Sequence, residues 1–329
     1  MKRENVVGRA NVEDTPALEA YYRQLESRDL GALWNVANEI EPWQPQPKSV
    51  PMLWKWRDIE PLVRKAPELV SAEKAARRVV MLVNPGRKEW SAAAGLLYTG
   101  VQIMNPGEFT SAHRHQASAL RFVMEGKGAY TVVDGERLAL GARDFVLTPN
   151  GTWHDHGVEA GGTQCIWQDG LDIPLMNSLD ANFYEVHPQT VQTPSPLSRE
   201  NWSKPYSPVF LYKWDSCFSE LRKEKIFEYR NPLTGGPVMP TMGARLELIS
   251  SAGKLKRHTG SVIYQVATGH GWSEIDGRRF EWEEKDIFCV PSWTPYTHRN
   301  SSATEDACLF SFNDFPAVRS LGLYREQAQ

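Results

Sequence analysis

The chain has 329 residues, of which 41% are hydrophobic and 23% are charged, with a formal net charge of −3. This length can hold two domains and bury a large core. The near-neutral balance and the lack of a basic patch exclude nucleic acid and anionic membrane surfaces as expected partners. No apolar run is long enough to span a bilayer, the start is polar, and the four cysteines lack CxxC spacing. We therefore expect a cytoplasmic protein with reduced thiols.

The first part of the chain is predicted to be helical, from residue 13 to residue 76. Thr15 followed by Pro16 is typical of a helix start, and the apolar spacing continues through residues 17–33. Four prolines in residues 41–51 predict an extended connector, after which a second helical stretch runs from Trp54 to about Ala76. We assign residues 1–90 to an N-terminal helical arm and connector.

Short strands are predicted in residues 96–169. Turn signals such as Asp134-Gly135 and Pro149-Asn150-Gly151 separate runs rich in Val, Leu, Phe and Tyr, which is typical of an antiparallel sandwich or barrel. The entering strand, residues 96–104, places Tyr98, Gly100 and Gln102 on one face. We assign residues 91–175 to this barrel and residues 176–207 to a polar, proline-rich linker.

Four of the eight histidines lie in this barrel. His113 and His115 are two positions apart on a strand, so their side chains project from the same face. A later antiparallel strand can bring His154 to that face. His156 lies two residues after His154, so it projects from the same face of that strand. Three neutral imidazoles on rigid strands suit a divalent metal such as iron, zinc, copper or nickel. We expect His113, His115 and His154 to be metal ligands.

An internal repeat extends over residues 255–300, displaced by 142 or 143 positions from the first histidine segment. In this register Lys256 replaces His113 and Tyr296 replaces His154, whereas His258 and His298 match His115 and His156. We therefore predict a degenerate second barrel over residues 208–329, metal-free and structural. The alternative is a second metal site formed by His258 and His298.

The motif set resembles a known enzyme family. The histidine pair, the hairpin and the turn before His154 resemble the cupin superfamily. The segments "HRHxxSALRFVxEGxGAYTxVDGE", "TWHDHG" and "DGLDIPL", followed by a second barrel with "RHTGS" and "VPSW", resemble the gentisate 1,2-dioxygenase family. That family includes salicylate, substituted-salicylate and 1-hydroxy-2-naphthoate dioxygenases, and the resemblance covers about residues 33–315. It implies a mainly β bicupin with a helical arm.

The resemblance also implies a reaction. Fe(II) would be held by the three histidines, the substrate would be an aromatic acid with adjacent carboxylate and hydroxyl groups, and O2 would be the co-substrate. Both substrate groups would chelate the iron, and the ring would open between the carbons that bear them. Many cupins supply a glutamate shortly after the histidine pair, but residues 116–120 here read QASAL, so we expect no carboxylate ligand. The family resemblance further suggests a homotetramer.

Roles for other residues follow from their type and position. Arg121 lies in an apolar context and needs a partner, either an internal acid or the substrate carboxylate, and we favour the substrate. His156 is a general base or a hydrogen-bonding neighbour of the ligands. Asp169, beside the barrel mouth, would orient a histidine or an arginine. Gln102 would donate to the carboxylate or to oxygen, and Arg77, or alternatively Arg78, would be a second carboxylate contact.

Two features bear on the choice of substrate. Gentisate is favoured because its 5-hydroxyl makes the ring electron-rich. The Gln116-Ala117 segment and the space expected beside Gly100, near Tyr98, keep salicylate, 5-nitro-, 5-amino- and 5-halosalicylate and 1-hydroxy-2-naphthoate open. A non-oxygenase bicupin, either a sugar isomerase or a ligand sensor, is a competing hypothesis.

Overall fold

The computed structural model describes residues 12–194 and 209–328. The chain divides into two compact units, residues 1–46 and residues 47–329. Within the described segments, no helix has the length and apolar character needed to cross a membrane.

The described part of the first unit, residues 12–46, contains two helices, α1 (Pro16–Glu26) and α2 (Leu33–Ile40). The predicted start of α1 is confirmed, because the Thr15 hydroxyl accepts a hydrogen bond from the backbone N–H of Leu18 at 3.2 Å. The prediction that this helix continues to residue 33 is wrong. It ends at Glu26, and Asp29 then adopts a φ of 55°, which a right-handed helix does not allow.

The second unit begins with short elements that lead into the sheets. They are β1 (Met52–Trp54), α3 (Trp56–Leu69), α4 (Ala72–Ala75), β2 (Val79–Met81) and a 3-10 helix (Pro85–Trp90). The predicted second helical stretch therefore consists of α3 and α4. Both β1 and β2 pair with strands of the barrels, so part of the range assigned to the arm belongs to the sheets.

The first barrel is formed by two facing sheets. One has six strands in the order β12-β8-β5-β10-β3-β2, and the other has five in the order β11-β4-β9-β6-β7. The strands are β3 (Tyr98–Met104), β4 (His113–His115), β5 (Ala119–Glu125), β6 (Ala129–Val133), β7 (Glu136–Leu140), β8 (Phe145–Thr148), β9 (His154–Val158), β10 (Cys165–Leu171), β11 (Tyr184–Val186) and β12 (Leu211–Tyr212), with α5 (Ile173–Ser178) after β10.

The second barrel repeats this topology. Its sheets have the orders β1-β19-β16-β21-β14-β13 and β18-β17-β20-β15-β22. Its elements are α6 (Trp214–Glu224), β13 (Ile226–Tyr229), β14 (Gly243–Ile249), β15 (Lys256–His258), β16 (Val262–Thr268), β17 (His270–Ile275), β18 (Arg278–Glu283), β19 (Ile287–Val290), β20 (Tyr296–Asn300), β21 (Ala307–Asn313), α7 (Phe315–Ser320) and β22 (Glu326–Ala328).

The two barrels exchange edge strands. β1, which precedes the first barrel in the chain, pairs with β19 of the second barrel, and β12, which precedes the second barrel, pairs with β8 of the first. Each exchanged strand is followed by a Lys-Trp pair at the start of a helix. Asp286 accepts hydrogen bonds from Lys55 Nζ at 2.8 Å and from the Trp56 backbone N–H at 2.7 Å. Asp144 accepts the matching bonds from Lys213 and Trp214.

The largest core cluster lies between the barrels. Leu120, Phe122 and Phe145 of the first six-stranded sheet belong to the same buried cluster as Ile263 and Phe310 of the second. Phe122 stacks on Phe310 with ring centroids 4.1 Å apart and an interplanar angle of 10°. Burial of two apolar sheet faces against each other is a large favourable contribution to folding, and it fixes the barrels as one unit.

The prediction of a mainly β chain with two similar barrels is confirmed. The predicted linker, residues 176–207, is not entirely a linker, because β11 within it pairs with the histidine strand β4. Residues 195–207 of that range lie outside the described residues. The boundaries between arm, barrels and linker stay a prediction. All four cysteines are buried and unpaired.

Candidate metal centre and active site

Three histidines converge inside the first barrel. β4 carries His113 and His115, and β9 places His154 directly opposite His113 in the strand register. The ring centroids of the three pairs lie 4.3, 4.8 and 5.7 Å apart, and one potential ligand atom from each residue lies within 4.8 Å of the others. The strand alternation that the sequence predicted therefore produces a compact donor set.

Each of these imidazoles is oriented by a backbone carbonyl. The Nδ1 atoms lie 2.7 Å from Ser111 O, 2.7 Å from Ala117 O and 3.0 Å from Thr152 O. A carbonyl only accepts, so each Nδ1 carries the proton and each Nε2 keeps its lone pair. All three Nε2 atoms are buried without a hydrogen-bond partner in the described structure. Three unpartnered lone pairs that face one another are the arrangement that a metal cation satisfies.

The rings stay neutral at physiological pH. Burial, followed by the charge of Arg77, lowers the pKa of His113 to about 3 and that of His115 to about 4. Burial and then the charge of His113 lower the pKa of His154 well below 6.5. Among the described residues, no Asp or Glu oxygen joins the cluster. The donor set therefore fits a divalent transition metal, and a bound ion would keep its full charge and open coordination positions.

The opposite wall of the barrel holds a buried ion pair. Arg121 on β5 faces Asp169 on β10 in the strand register, with Nε 3.1 Å from Oδ1. Thr148 accepts a hydrogen bond from Arg121 Nη1 at 3.1 Å. The sequence suggested that Asp169 lies beside the barrel mouth, beyond the strand. In the structure Asp169 lies within β10. Of the two partners considered for Arg121, the structure contains the internal acid.

Burial opposes ionisation of both members of this pair. It lowers the pKa of Arg121 to about 10 and raises the pKa of Asp169 to about 6, although each charge partly offsets the effect on the other. The 3.1 Å contact lacks the angles of a hydrogen bond, since neither atom has a hydrogen-bond partner. The pair is therefore held by charge and burial, and its donor and acceptor directions are available for another group.

Arg77 and Arg78 have different surroundings. Arg78 is buried, pairs with Glu108 and donates to Val70 O at 3.3 Å. Arg77 is half-buried and its charge is among the causes that lower the pKa of His113 and of His115. Its guanidinium lies 5.8 Å from the centroid of the Tyr184 ring. Within residues 12–194 and 209–328, no carboxylate forms a salt bridge with Arg77, although its charge is among the causes that lower the pKa of Asp169.

The strand β3, which pairs with β10, carries the other predicted site residues. Gln102 is buried, and neither its amide oxygen nor its amide nitrogen has a hydrogen-bond partner among the described residues. Gly100 does not leave the expected open space, because a Cβ added there would lie 2.5 Å from Val79 Cγ1 and 3.1 Å from the Tyr98 hydroxyl. The glycine instead allows Val79 and Tyr98 to approach the strand closely. Burial, with the charge of Asp169, raises the pKa of Tyr98, so its hydroxyl stays protonated.

His156 is fully buried on β9, two residues after His154. Its Nδ1 lies 2.9 Å from the Thr131 hydroxyl, its Nε2 has no partner, and its ring centroid lies 5.4 Å from that of His154. Burial and then the charge of Arg121 lower its pKa well below 6.5. A neutral ring with one nitrogen held by a hydroxyl can exchange a hydrogen bond with a bound group through the other nitrogen.

Three contacts at the site were missed by the sequence reasoning. Tyr184 on β11 stacks on His113 with ring centroids 5.3 Å apart and an interplanar angle of 22°. Tyr184 lies in the range assigned to the linker, although the short Tyr-Glu-Val run is typical of a strand. Thr131 and Thr148 hold His156 and Arg121, and no local pattern distinguishes them from other strand threonines.

The second barrel has a different interior at the same place. Lys256 faces Tyr296 in the register that pairs His113 with His154 in the first barrel. His258 Nδ1 lies 3.2 Å from Gly260 O, and the Tyr296 hydroxyl donates to His258 Nε2 at 3.0 Å. The nitrogen that matches His115 Nε2 of the first barrel is therefore already hydrogen-bonded. That this barrel is metal-free stays a prediction.

The chain is similar to proteins of known activity. A family model described as the cupin domain matches residues 100–174. Gentisate 1,2-dioxygenase 1 of Aquipseudomonas alcaligenes is 36% identical over 336 residues, which cover 93% of this chain and 95% of the relative. The 5-aminosalicylate 1,2-dioxygenase of Comamonas sp is 34% identical over 341 residues, covering 94% of this chain and 90% of the relative.

The fold is similar to a solved enzyme–ligand complex. A variant of the salicylate 1,2-dioxygenase from Pseudoaminobacter salicylatoxidans, in complex with gentisate, superimposes with a TM-score of 0.88 at 30% sequence identity. The match covers 100% of this chain and 99% of the salicylate dioxygenase chain.

Proposed function

This chain belongs to the gentisate and salicylate 1,2-dioxygenase family of cupin enzymes, and we propose that it opens the ring of a 2-hydroxybenzoate with O2, with gentisate as the favoured substrate. The bond broken joins the carbons that bear the carboxylate and the hydroxyl. Both oxygen atoms of O2 enter the product. Three unpartnered imidazole nitrogens, converging within 4.8 Å, are the observation that carries this proposal.

We propose Fe(II) as the metal, held by His113, His115 and His154. Bound there, Fe(II) supplies a Lewis acid for the carboxylate and hydroxyl oxygens of the substrate and a binding position for O2. The neutral, carbonyl-oriented imidazoles support this assignment, because imidazole is a preferred ligand of iron and of its first-row neighbours. Without a carboxylate ligand, more of the positive charge remains to lower the pKa of the substrate hydroxyl.

Arg77 binds the substrate carboxylate in this proposal. Its charge is not neutralised by a described acid, and its effect on both histidines of β4 is consistent with a position beside the pocket. Arg121 differs, because Asp169 already balances its charge at 3.1 Å. Arg121 therefore orients the reacting groups through its remaining N–H donors, and Asp169 holds the guanidinium in place.

The other pocket residues position and exchange hydrogen bonds. Gln102 offers both a donor and an acceptor to a bound oxygen, since both of its amide atoms are unpartnered. His156, held through Nδ1 by Thr131, accepts the hydroxyl proton of the substrate or hydrogen-bonds the resulting oxygen. The Tyr98 hydroxyl, admitted by Gly100, contacts the ring region of the substrate. Filling of the space beside Gly100 by Val79 and Tyr98 favours a compact 5-substituent.

A second substrate deserves testing because of one relative. The similarity to 5-aminosalicylate 1,2-dioxygenase favours an amino group at the same ring position. Anaerobic titration of the Fe(II) enzyme with gentisate, 5-aminosalicylate and salicylate, followed by oxygen uptake and mass analysis of the products, distinguishes them. We expect a ring-opened product with two added oxygen atoms from gentisate. Cleavage of catechol but of no 2-hydroxybenzoate, or hydroxylation without ring opening, would contradict the proposal.

The assembly that we propose is a homotetramer. Helix α2 has no buried residue, and Leu33, Trp34 and Ile40 on it are exposed. Apolar groups at this density on one short helix are typical of an interaction surface. Native mass spectrometry should give four chains, and Trp34→Glu together with Ile40→Glu should produce a smaller species.

A further inference from the structure

The second barrel contains a cavity of about 370 Å³ at the place that corresponds to the histidine site of the first barrel. This volume lies within the range of small-molecule sites, roughly 300–1,000 Å³. Lys256, His258 and Tyr296, which replace or match the three histidines, line it. The cavity therefore lies where the first barrel has its three histidines, but a lysine and a tyrosine stand in place of two of them.

The second barrel has an arginine, Arg245, where the first barrel has Gly100. In the first barrel Gly100 faces Asp169, which in turn faces Arg121. In the second barrel the same registers place Arg245 opposite Ser311, and Ser311 opposite Tyr264. A glycine, an acid and an arginine are therefore replaced by an arginine, a serine and a tyrosine. The buried acid is lost and the cation moves to the strand that lines the cavity.

The charges around the cavity leave an excess of positive charge. Four cations line it, and so do two acids; the cations are Arg230, Arg245, Lys256 and Arg319, and the acids are Glu228 and Glu326. A third acid, Glu247, lies 3.1 Å from Arg245 Nη2 and 3.9 Å from Lys256 Nζ. His258 is neutral, because burial lowers its pKa to about 4. One positive charge is unbalanced, which fits a monoanion.

The lining also includes apolar and aromatic groups. Phe315, Pro316 and Pro237 contribute apolar surface, and the Tyr296 and Tyr324 rings lie beside the cations. The Arg319 guanidinium lies 3.9 Å from the centroid of the Tyr324 ring. A cavity lined both by cations and by aromatic and apolar groups suits a ligand with a carboxylate and an aromatic ring.

We propose that the second barrel is a metal-free binding site for a small aromatic monocarboxylate, held by Arg245 and Lys256. The site is separate from the ring-opening centre. It needs no adjacent hydroxyl on the ligand, because the binding groups are cations rather than a chelated metal. The proposal does not depend on the function proposed for the first barrel.

The probe is 4-bromobenzoate, which has a carboxylate and a heavy atom but no adjacent hydroxyl. Crystals of the iron-loaded enzyme soaked with it should give an anomalous bromine peak in the second-barrel cavity. Titration calorimetry should give binding that weakens at least about tenfold in Arg245→Gln and in Lys256→Gln, the scale for losing one partner of a charge pair. Lys254→Gln is the matched control, since Lys254 is exposed and does not line the cavity.

No bromine peak in the second barrel would overturn the proposal, as would affinity unchanged in both variants. Stronger competition by inorganic phosphate than by benzoate would also overturn it, because the aromatic ring would then contribute nothing. If Arg245→Gln does not fold, Lys256→Gln decides alone, since its side chain is partly exposed and tolerates the change. Oxygen uptake with gentisate is measured in parallel, so failure of the first-barrel function is recognised separately.

Discussion

Arg121 Nε lies 3.1 Å from Asp169 Oδ1, across neighbouring strands and entirely inside the first barrel. Each side chain is almost completely buried, so the two charges stabilise each other where water does not. An arginine that is already balanced in this way is positioned before substrate arrives. Arg121 therefore differs from Arg77, which forms no salt bridge with a carboxylate in residues 12–194 and 209–328.

Arg121→Ala should retain iron and lose ring-cleaving efficiency. We expect the fall in kcat/KM to correspond to a loss of at least about 2 kcal/mol of transition-state stabilisation, the scale for removing one partner of a desolvated charge pair. Arg121→Lys should recover only part of this loss, because an ammonium cannot make a planar two-pronged contact. In the double variant with Asp169→Ala, a loss no greater than in Arg121→Ala would show that the two residues act as a unit. An unchanged kcat/KM in Arg121→Ala would make the arginine structural.

Arg77→Gln and Arg78→Gln should have different effects. Loss of Arg77 should weaken binding of 2-hydroxybenzoates at least about tenfold, with little change in the unfolding free energy. Loss of Arg78 should destabilise the fold, because it leaves Glu108 without its buried partner. Anaerobic substrate titration and thermal unfolding of both variants make the comparison. Equal substrate affinity in Arg77→Gln and the wild type would contradict the proposed carboxylate contact.

The pH dependence of stability should report Asp169. Burial raises its pKa from 3.8 to about 6, so the unfolded chain releases this proton at lower pH than the folded one. The folded state therefore holds more protons between these values, and the contribution of Asp169 to stability falls as pH rises from 3.8 to about 6. Chemical unfolding of the iron-free wild type and of Asp169→Asn, measured across this pH range, isolates the contribution of Asp169 to the unfolding free energy. A difference between the two that is independent of pH would contradict the raised pKa.

Iron should be confined to the first barrel. His113→Ala, His115→Ala and His154→Ala should each lose iron and activity while remaining folded, because each removes one of three ligands. His258→Ala is the matched control in the second barrel and should keep its iron. Metal analysis of the freshly purified protein should give about one equivalent per chain. A reproducible two equivalents would show that the second barrel also binds the metal.

The exchanged strands should depend on Asp286. Its carboxylate is fully buried and accepts bonds from Lys55, Trp56 and the Glu283 backbone N–H. Asp286→Ala should lower the unfolding free energy by about 3 kcal/mol or more, because it leaves Lys55 with the more distant Glu283, at 3.9 Å, and two backbone N–H groups without their acceptor. Glu284→Gln is the control, since its exposed pair with Arg143 should contribute less than about 1 kcal/mol. Similar losses in both would contradict the assigned role of Asp286.

The sequence by itself placed His113, His115 and His154 in one cluster and revealed the repeat. His113 and His115 share a face because strand side chains alternate, and the turn before His154 returns the chain antiparallel to them. The replacement of His113 and His154 by Lys256 and Tyr296 was equally readable, because a fixed register relates the two barrels. These features depend on the alternation of side chains along a strand and on an internal repeat, and both are written directly in the order of residues.

The tertiary structure decided the features that depend on distant pairings. Arg121 and Asp169 are neighbours only because β5 and β10 pair, and only this pairing shows an internal acid rather than a ligand as the arginine's partner. Tyr184 reaches His113 because a strand within the predicted linker joins β4. The exchange of β1 and β12 between barrels likewise has no local signal. Strand pairing is set by which apolar faces can be buried together, and that is a property of the whole chain.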